Sequence, residues 1–168
     1  MLDHTIIDSN DHQQLELYIH IPFCARKCNY CDFLSFPMKE TEHGPYIDQL
    51  CAEIRESAAL ATNYEISTIF IGGGTPSLLG GARLALVLDQ IREHFPLADD
   101  AEVTTEANPE STSPEFFATI RAAGYTRVSL GMQSVAPRVL AVLDRVHSPG
   151  RPVAAAREAL AAGFEHLN

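Results

Sequence analysis

Ile66-Ser67-Thr68-Ile69-Phe70-Ile71-Gly72-Gly73-Gly74-Thr75-Pro76-Ser77 reads as a strand running into a loop. A run rich in β-branched and aromatic residues meets three glycines and then a proline, which ends extended pairing. Apolar residues at helical spacing follow from Ala82 to His94. The same unit recurs on both sides. Upstream, a strand at Leu15 to Ile21 precedes a helix at about Gly44 to Leu60. Downstream, a strand at Ala101 to Glu106 is broken by Asn108-Pro109, and Ser113-Pro114 opens a helix that ends at Gly124. A fourth strand, Arg127 to Met132, precedes helices near Pro137 to Leu143 and Pro152 to Ala162, the latter ended by Gly163. Phe164 to Asn168 begins a fifth strand.

Repeated βα units predict an α/β fold with a parallel sheet and helical crossovers. Every distinctive motif falls at the C-terminal end of a strand, where βα barrels build their sites. Open doubly wound sheets also place ligands there, so both architectures remain open. The chain stops on an apolar strand just begun. The expectation is the N-terminal part of a partial barrel, truncated at the start of the fifth strand, with an unpaired edge. Residues 1–14 read as a flexible N-terminal segment and 15–168 as one core domain.

The 168 residues are enough for one buried core. With 46% hydrophobic and 20% charged residues, the composition is that of an ordinary globular domain. A net charge of −10, with no Lys/Arg cluster to track phosphates, argues against nucleic acid. The polar, acidic start resembles no secretory signal, and no apolar run is long enough to span a bilayer. A cytoplasmic location, where thiols stay reduced, is the expectation.

In that compartment three of the four cysteines are informative. Cys24, Cys28 and Cys31 stand in C-x3-C-x2-C spacing directly after the first strand. Three thiolates on one loop can hold three corners of an iron–sulfur cube and leave the fourth iron open. Structural zinc with His20 as fourth ligand, or a redox dithiol at Cys28 and Cys31, are the alternatives. His20, in an alternating strand, also reads as a packed histidine. Cys51, among Ile47, Leu50 and Ile54, reads as a small core residue.

The remaining motifs are polar groups at strand ends. The loop Gly72-Gly73-Gly74-Thr75-Pro76 lacks the lysine of a P-loop and the G-x-G-x-x-G dinucleotide spacing. Its bare backbone allows a ligand's ammonium and carboxylate to approach closely, although a flexible turn would look the same. Glu106 could accept hydrogen bonds from ribose hydroxyls or be a rim charge. Gln133 has the same placement, and Arg145 could pair with a carboxylate or simply be solvated.

Together, Tyr18-Ile19-His20-Ile21-Pro22-Phe23-Cys24, Ile71 to Leu79, Glu106-Ala107-Asn108-Pro109 and Arg127 to Ser134 resemble the radical S-adenosylmethionine superfamily. The resemblance is to the branch of oxygen-independent coproporphyrinogen oxidases and their heme-chaperone relatives. It covers Leu15 to Asn168. It implies a [4Fe–4S] cluster on Cys24, Cys28 and Cys31, with S-adenosylmethionine chelating the open iron and cleaved by one electron to a 5′-deoxyadenosyl radical. Tyr18, Tyr30, Gly73, Gly74, Thr75, Glu106, Gln133 and Arg145 match cofactor-contacting positions of that family. Gly73 and Gly74 would serve the methionyl end and Glu106 the ribose. The coproporphyrinogen dehydrogenases carry a further cysteine where this chain has Phe33. The Cys31-Asp32-Phe33 ending is similar to the heme chaperones, which bind heme and deliver it to acceptor proteins. The resemblance therefore implies heme handling, with an electron donor and a heme acceptor as partners. The alternative is oxidative decarboxylation of coproporphyrinogen III, and a structural zinc module is the third reading.

Overall fold

The computed structural model describes residues 13–37, 39–145, 148 and 150–168. Most of the segment expected to be flexible, residues 1–12, lies outside the described residues. Five strands form one parallel sheet: β1 (Gln13–Ile21), β4 (Tyr64–Gly73), β5 (Leu97–Ala107), β6 (Arg127–Leu130) and β7 (His166–Leu167). Two two-residue strands, β2 (Phe23–Cys24) and β3 (Phe36–Pro37), pair separately. The helices are α1 (His43–Ser57), α2 (Gly81–His94), α3 (Pro114–Ala123), α4 (Pro137–Val142) and α5 (Arg151–Ala161).

The spatial order of the main sheet is β1-β4-β5-β6-β7, with every pairing parallel. Each strand therefore adds to the same growing edge. A doubly wound sheet reverses its order at a switch point and carries helices on both faces. A barrel winds onward in one direction, which decides the choice the sequence left open. Helices α1, α2, α3 and α5 pack in series. They share one core with the sheet face bearing Ile19, Ile21, Ile69, Ile71, Val103 and Val128. From the helices come Ile47, Cys51 and Ile54, then Leu84, Val87, Leu88 and Ile91, then Phe116, Phe117 and Ile120. These sit three and four residues apart, the spacing of one helix face. Cys51 is 6% exposed and lies in this core, as its pattern indicated.

Local signals in the chain act where they were expected. Ser113 Oγ accepts from the Phe116 N–H and caps α3. Gly124 ends that helix in the left-handed region. Several strand boundaries differ from the sequence reading: β1 starts at Gln13 rather than Leu15, taking in two residues of the segment expected to be flexible, and β4 runs from Tyr64 to Gly73 rather than from Ile66 to Ile71. β5 starts at Leu97 rather than Ala101, because Leu97 pairs with Ile66 across a register irregularity while exposed Asp99 and Asp100 hide the pattern. β6 ends at Leu130 rather than Met132, because the next residues turn: Met132 N–H donates to Leu130 O. β7 is only His166–Leu167, since Phe164 is drawn into the core against Phe117.

Strand alternation turns the other residues to the opposite, inner face. Tyr18 stacks on Phe70 there at 6.2 Å between ring centroids. Nearer the C-terminal end, His20 pairs with Gly72 and Glu106 with Ser129 in register. That polar layer leads to the site.

Candidate functional site

The short β2–β3 pair closes the cysteine loop at its base. Phe36 N–H donates to Pro22 O at 2.8 Å. Phe23 is fully buried between His43 and Tyr46 of α1, at 4.5 and 4.9 Å between ring centroids. Tyr46 Oη donates to His20 O at 2.6 Å, so α1 braces the end of β1 as well. Cys24 is thus held by a buried neighbour, while Cys28 and Cys31 sit on the loop that follows.

The glycine loop docks beside it. Gly74 N–H donates to Ile21 O at 2.7 Å and Thr75 N–H to Phe23 O at 2.6 Å. A side chain on Gly74 would strike the Phe23 carbonyl, and Gly73 has φ +112° with the His20 ring against it. At these two positions only glycine fits. Gly73 N–H donates to Glu106 Oε2 at 2.9 Å. Ser77, buried behind the loop, accepts from Asn108 N–H at 3.0 Å and shares a hydrogen bond with Ser111 at 2.5 Å. The ends of β4 and β5 are therefore locked together, and Glu106 faces the glycine loop.

Burial holds the Glu106 carboxyl above the usual carboxylate range, opposed by the Gly73 hydrogen bond and the nearby His20. Gln133, just past β6, has φ +61°, a left-handed conformation that costs a non-glycine residue about 1–3 kcal/mol. Arg145 reaches in from the turn after α4. It donates to Gly131 O, approaches Cys28 Sγ at 3.7 Å, and keeps its buried Nε without a hydrogen-bond partner among the described residues.

These groups border one cavity of about 250 Å³. Cys24, Cys28 and Cys31 line it together with Tyr30, Gly73, Gly74 and Thr75. Glu106, Gln133 and Arg145 complete the set expected from the sequence. Tyr18 alone of that set lies outside the lining. Its hydroxyl bonds His20 Nδ1 at 2.8 Å, and His20 Nε2 bonds Leu34 O at 2.8 Å. A carbonyl only accepts, so Nε2 carries the hydrogen and, in the neutral ring, Nδ1 accepts from Tyr18. Both nitrogens are engaged, and the Nδ1 lone pair is taken up by the Tyr18 hydroxyl rather than turned to the cysteines.

Sequence reading missed part of this wall. Arg26 and Asp144 form an ion pair across the mouth, and Phe33 and Asn108 also line the cavity. Asp144 takes a left-handed φ of +57°, which its short side chain tolerates. Nothing local in the chain joins two such distant charges.

The residues suit an iron–sulfur cube and a zwitterionic nucleoside ligand. Among the described residues no three His, Cys, Asp or Glu side chains converge on one metal-ion position. The three thiols border the same cavity, with the Glu106 carboxylate and the Arg145 guanidinium also in its lining.

A one-way parallel βα sheet with a cysteine-lined cavity at its C-terminal rim defines a partial βα barrel with a candidate cofactor site. The chain belongs to the Radical SAM superfamily, which it matches over residues 18–168. It is 62% identical over 159 residues to the heme chaperone HemW of Mycobacterium tuberculosis, covering 93% of this chain and 41% of that protein. Identity to HemW of Escherichia coli is 44% over 155 residues, covering 92% of this chain and 41% of the relative. Among solved structures, coproporphyrinogen III oxidase (HemN) of Escherichia coli superimposes with a TM-score of 0.86 at 29% identity, over 94% of this chain and 36% of that one. The chain therefore spans about two fifths of the relatives' length. Among the described residues no helix is long and apolar enough to cross a membrane.

Proposed function

We propose that this chain is the cofactor-binding part of a heme-chaperone-like protein, with residues 15–168 as its radical SAM core. Cys24, Cys28 and Cys31 would hold a [4Fe–4S] cluster. Gly73, Gly74, Thr75, Glu106, Gln133, Arg145, Tyr30 and, from the inner face, Tyr18 would surround S-adenosylmethionine. Such a cluster, when reduced, supplies the electron that cleaves the sulfonium of that ligand. The chain's own residues do the rest. The bare backbone of the glycine loop admits the methionyl end, and Glu106 stands ready to accept from ribose hydroxyls. The β2–β3 pair and α1 fix the loop that presents the thiols.

The observation that carries the chaperone reading is the 62% identity to HemW. Phe33, 61% exposed at the cavity, agrees with it, because the resembling dehydrogenases have cysteine there. The complete polypeptide is expected to bind hemin, seen as a Soret shift, and to leave coproporphyrinogen III unconverted with its cluster reduced and S-adenosylmethionine present. Clear conversion to protoporphyrinogen would overturn the chaperone reading in favour of the dehydrogenase.

Glu106→Gln separates binding from stability. Burial favours the neutral carboxyl, so the ionised form costs stability. That cost is absent below the ordinary carboxyl pKa and grows as pH rises through the higher folded value. The amide removes it and can still accept from Gly73. Thermal melts are expected to show the variant at least as stable as the parent at pH 7, with the difference closing toward pH 4. Calorimetry should show S-adenosylmethionine affinity reduced about tenfold or more, the worth of a charged hydrogen bond. Unchanged affinity would remove Glu106 from the ribose site.

A further inference from the structure

Two side chains expected beside the nucleoside ligand point at sulfur. Thr75 Oγ1 lies 3.7 Å from Cys24 Sγ, in donor geometry. Arg145 Nη1 lies 3.7 Å from Cys28 Sγ. Both approaches are built into the backbone. Thr75 N–H donates to the carbonyl of Phe23, the residue preceding Cys24, so hydroxyl and thiol are fixed to one another through adjacent peptide units. The Phe23 ring is clamped by α1. Arg145 has its other arm tied to Gly131 O, so the arm facing Cys28 is not free to swing away. Cys31 receives no side-chain donor among the described residues.

We propose that Thr75 and Arg145 are hydrogen-bond donors to two of the three cluster-ligand sulfurs, and that they set the reduction potential of the cluster. The proposal rests on the reading that Cys24, Cys28 and Cys31 hold a cluster. Its physics is direct. Reduction adds one negative charge, part of which resides on the ligand sulfurs. A hydroxyl or guanidinium hydrogen at the sulfur stabilises the reduced state and raises the potential. Arg145 adds a full positive charge, so its effect is the larger of the two. The pattern is asymmetric: two sulfurs receive donors and the third does not. Thr75 and Arg145 are thus positioning and tuning residues for the metal site, whatever further contacts they make with a nucleoside.

The test is the midpoint potential of the one-electron couple, followed by EPR-monitored potentiometry on anaerobically reconstituted protein. S-adenosylmethionine is omitted, so that contacts to it do not enter. Thr75→Val removes the hydroxyl at nearly constant shape. It is expected to lower the reduced-to-oxidised ratio at a fixed potential by about threefold to tenfold, tenfold being 59 mV for one electron. Thr75→Ser should stay within about twofold of the parent. Arg145→Gln should fall by at least as much as Thr75→Val, and Arg145→Lys should recover part of the loss. A parent-like potential in Thr75→Val, or an equal fall in Thr75→Ser, would overturn the proposal while leaving the cluster itself established. If Thr75→Val does not load iron, the Arg145 pair decides on the same readout. In the unaltered protein, iron–thiolate stretches that do not shift on exchange into D2O would overturn it regardless of the variants. Failure of the unaltered protein to take up iron and sulfide would instead sink the cluster reading, and this inference with it.

Discussion

Alanine at Cys24, Cys28 or Cys31 is expected to strip the protein of its iron. Anaerobic reconstitution of the unaltered protein should give about 4 iron and about 4 sulfide per chain, as a cubane requires. Each of the three variants should retain little or none. The three thiols border one cavity, and the remaining wall offers no further cysteine. Loss of one leaves a second iron corner open, where the site already leaves one. Cys51→Ala is the internal comparison. That thiol is buried in the core between sheet and α1, and burial pushes its pKa up, away from the thiolate that metal binding needs. Its iron content should match the parent. Stoichiometric zinc without sulfide would refute the cluster, and iron loss in Cys51→Ala would reassign the fourth cysteine.

Gly74→Ala is expected to carry the largest stability cost of any single methyl added near the site, about 2–4 kcal/mol from overpacking plus a strained hydrogen bond. An added Cβ would lie 2.9 Å from the Phe23 carbonyl carbon and 3.0 Å from Ile21 O, and would strike the Phe23 oxygen itself. Those atoms are backbone and cannot rotate away. The strand end must move, and with it the Gly74-to-Ile21 and Thr75-to-Phe23 hydrogen bonds. Cys24 follows Phe23, so iron loading should fall as well. Gly44→Ala, where the new methyl meets nothing within 4 Å beyond its chain neighbours but precedes Pro45 in α1, should cost clearly less, about 1 kcal/mol or under. Urea denaturation of the two variants checks the contrast, and a Gly74→Ala cost below about 1 kcal/mol would show that the strand end yields easily.

Much of this was legible in the chain because it depends on local chemistry. Strand periodicity, the Ser113 cap and the Gly124 stop each act within a few residues. The repeated βα unit placed Cys24, Gly73, Glu106 and Gln133 at strand ends that a parallel sheet must bring to one rim. Winding direction was not legible, because it depends on which edge each strand joins. The β2–β3 pair was also hidden, since two residues carry no periodicity. The Arg26–Asp144 ion pair unites charges far apart in sequence. With both partners about half to one third exposed, it contributes only about 0–1 kcal/mol. Tyr18 shares the motif but stacks across the sheet on Phe70, its register partner, and stays outside the cavity lining, which spacing alone does not resolve.

The β2–β3 clip has a thermodynamic corollary. A loop whose two ends are already joined has lost its closure entropy before any metal arrives. In small zinc domains, metal binding and folding are a single event, and chelators unfold the protein. Here the ligand-bearing loop is anchored through Phe23 in a hydrophobic core that includes none of Cys24, Cys28 and Cys31. A cluster bound only by the folded chain would still add to its stability by mass action, but the core would not depend on it to form. The chain is therefore expected to keep its fold when metal is stripped from it, which circular dichroism before and after chelation would check.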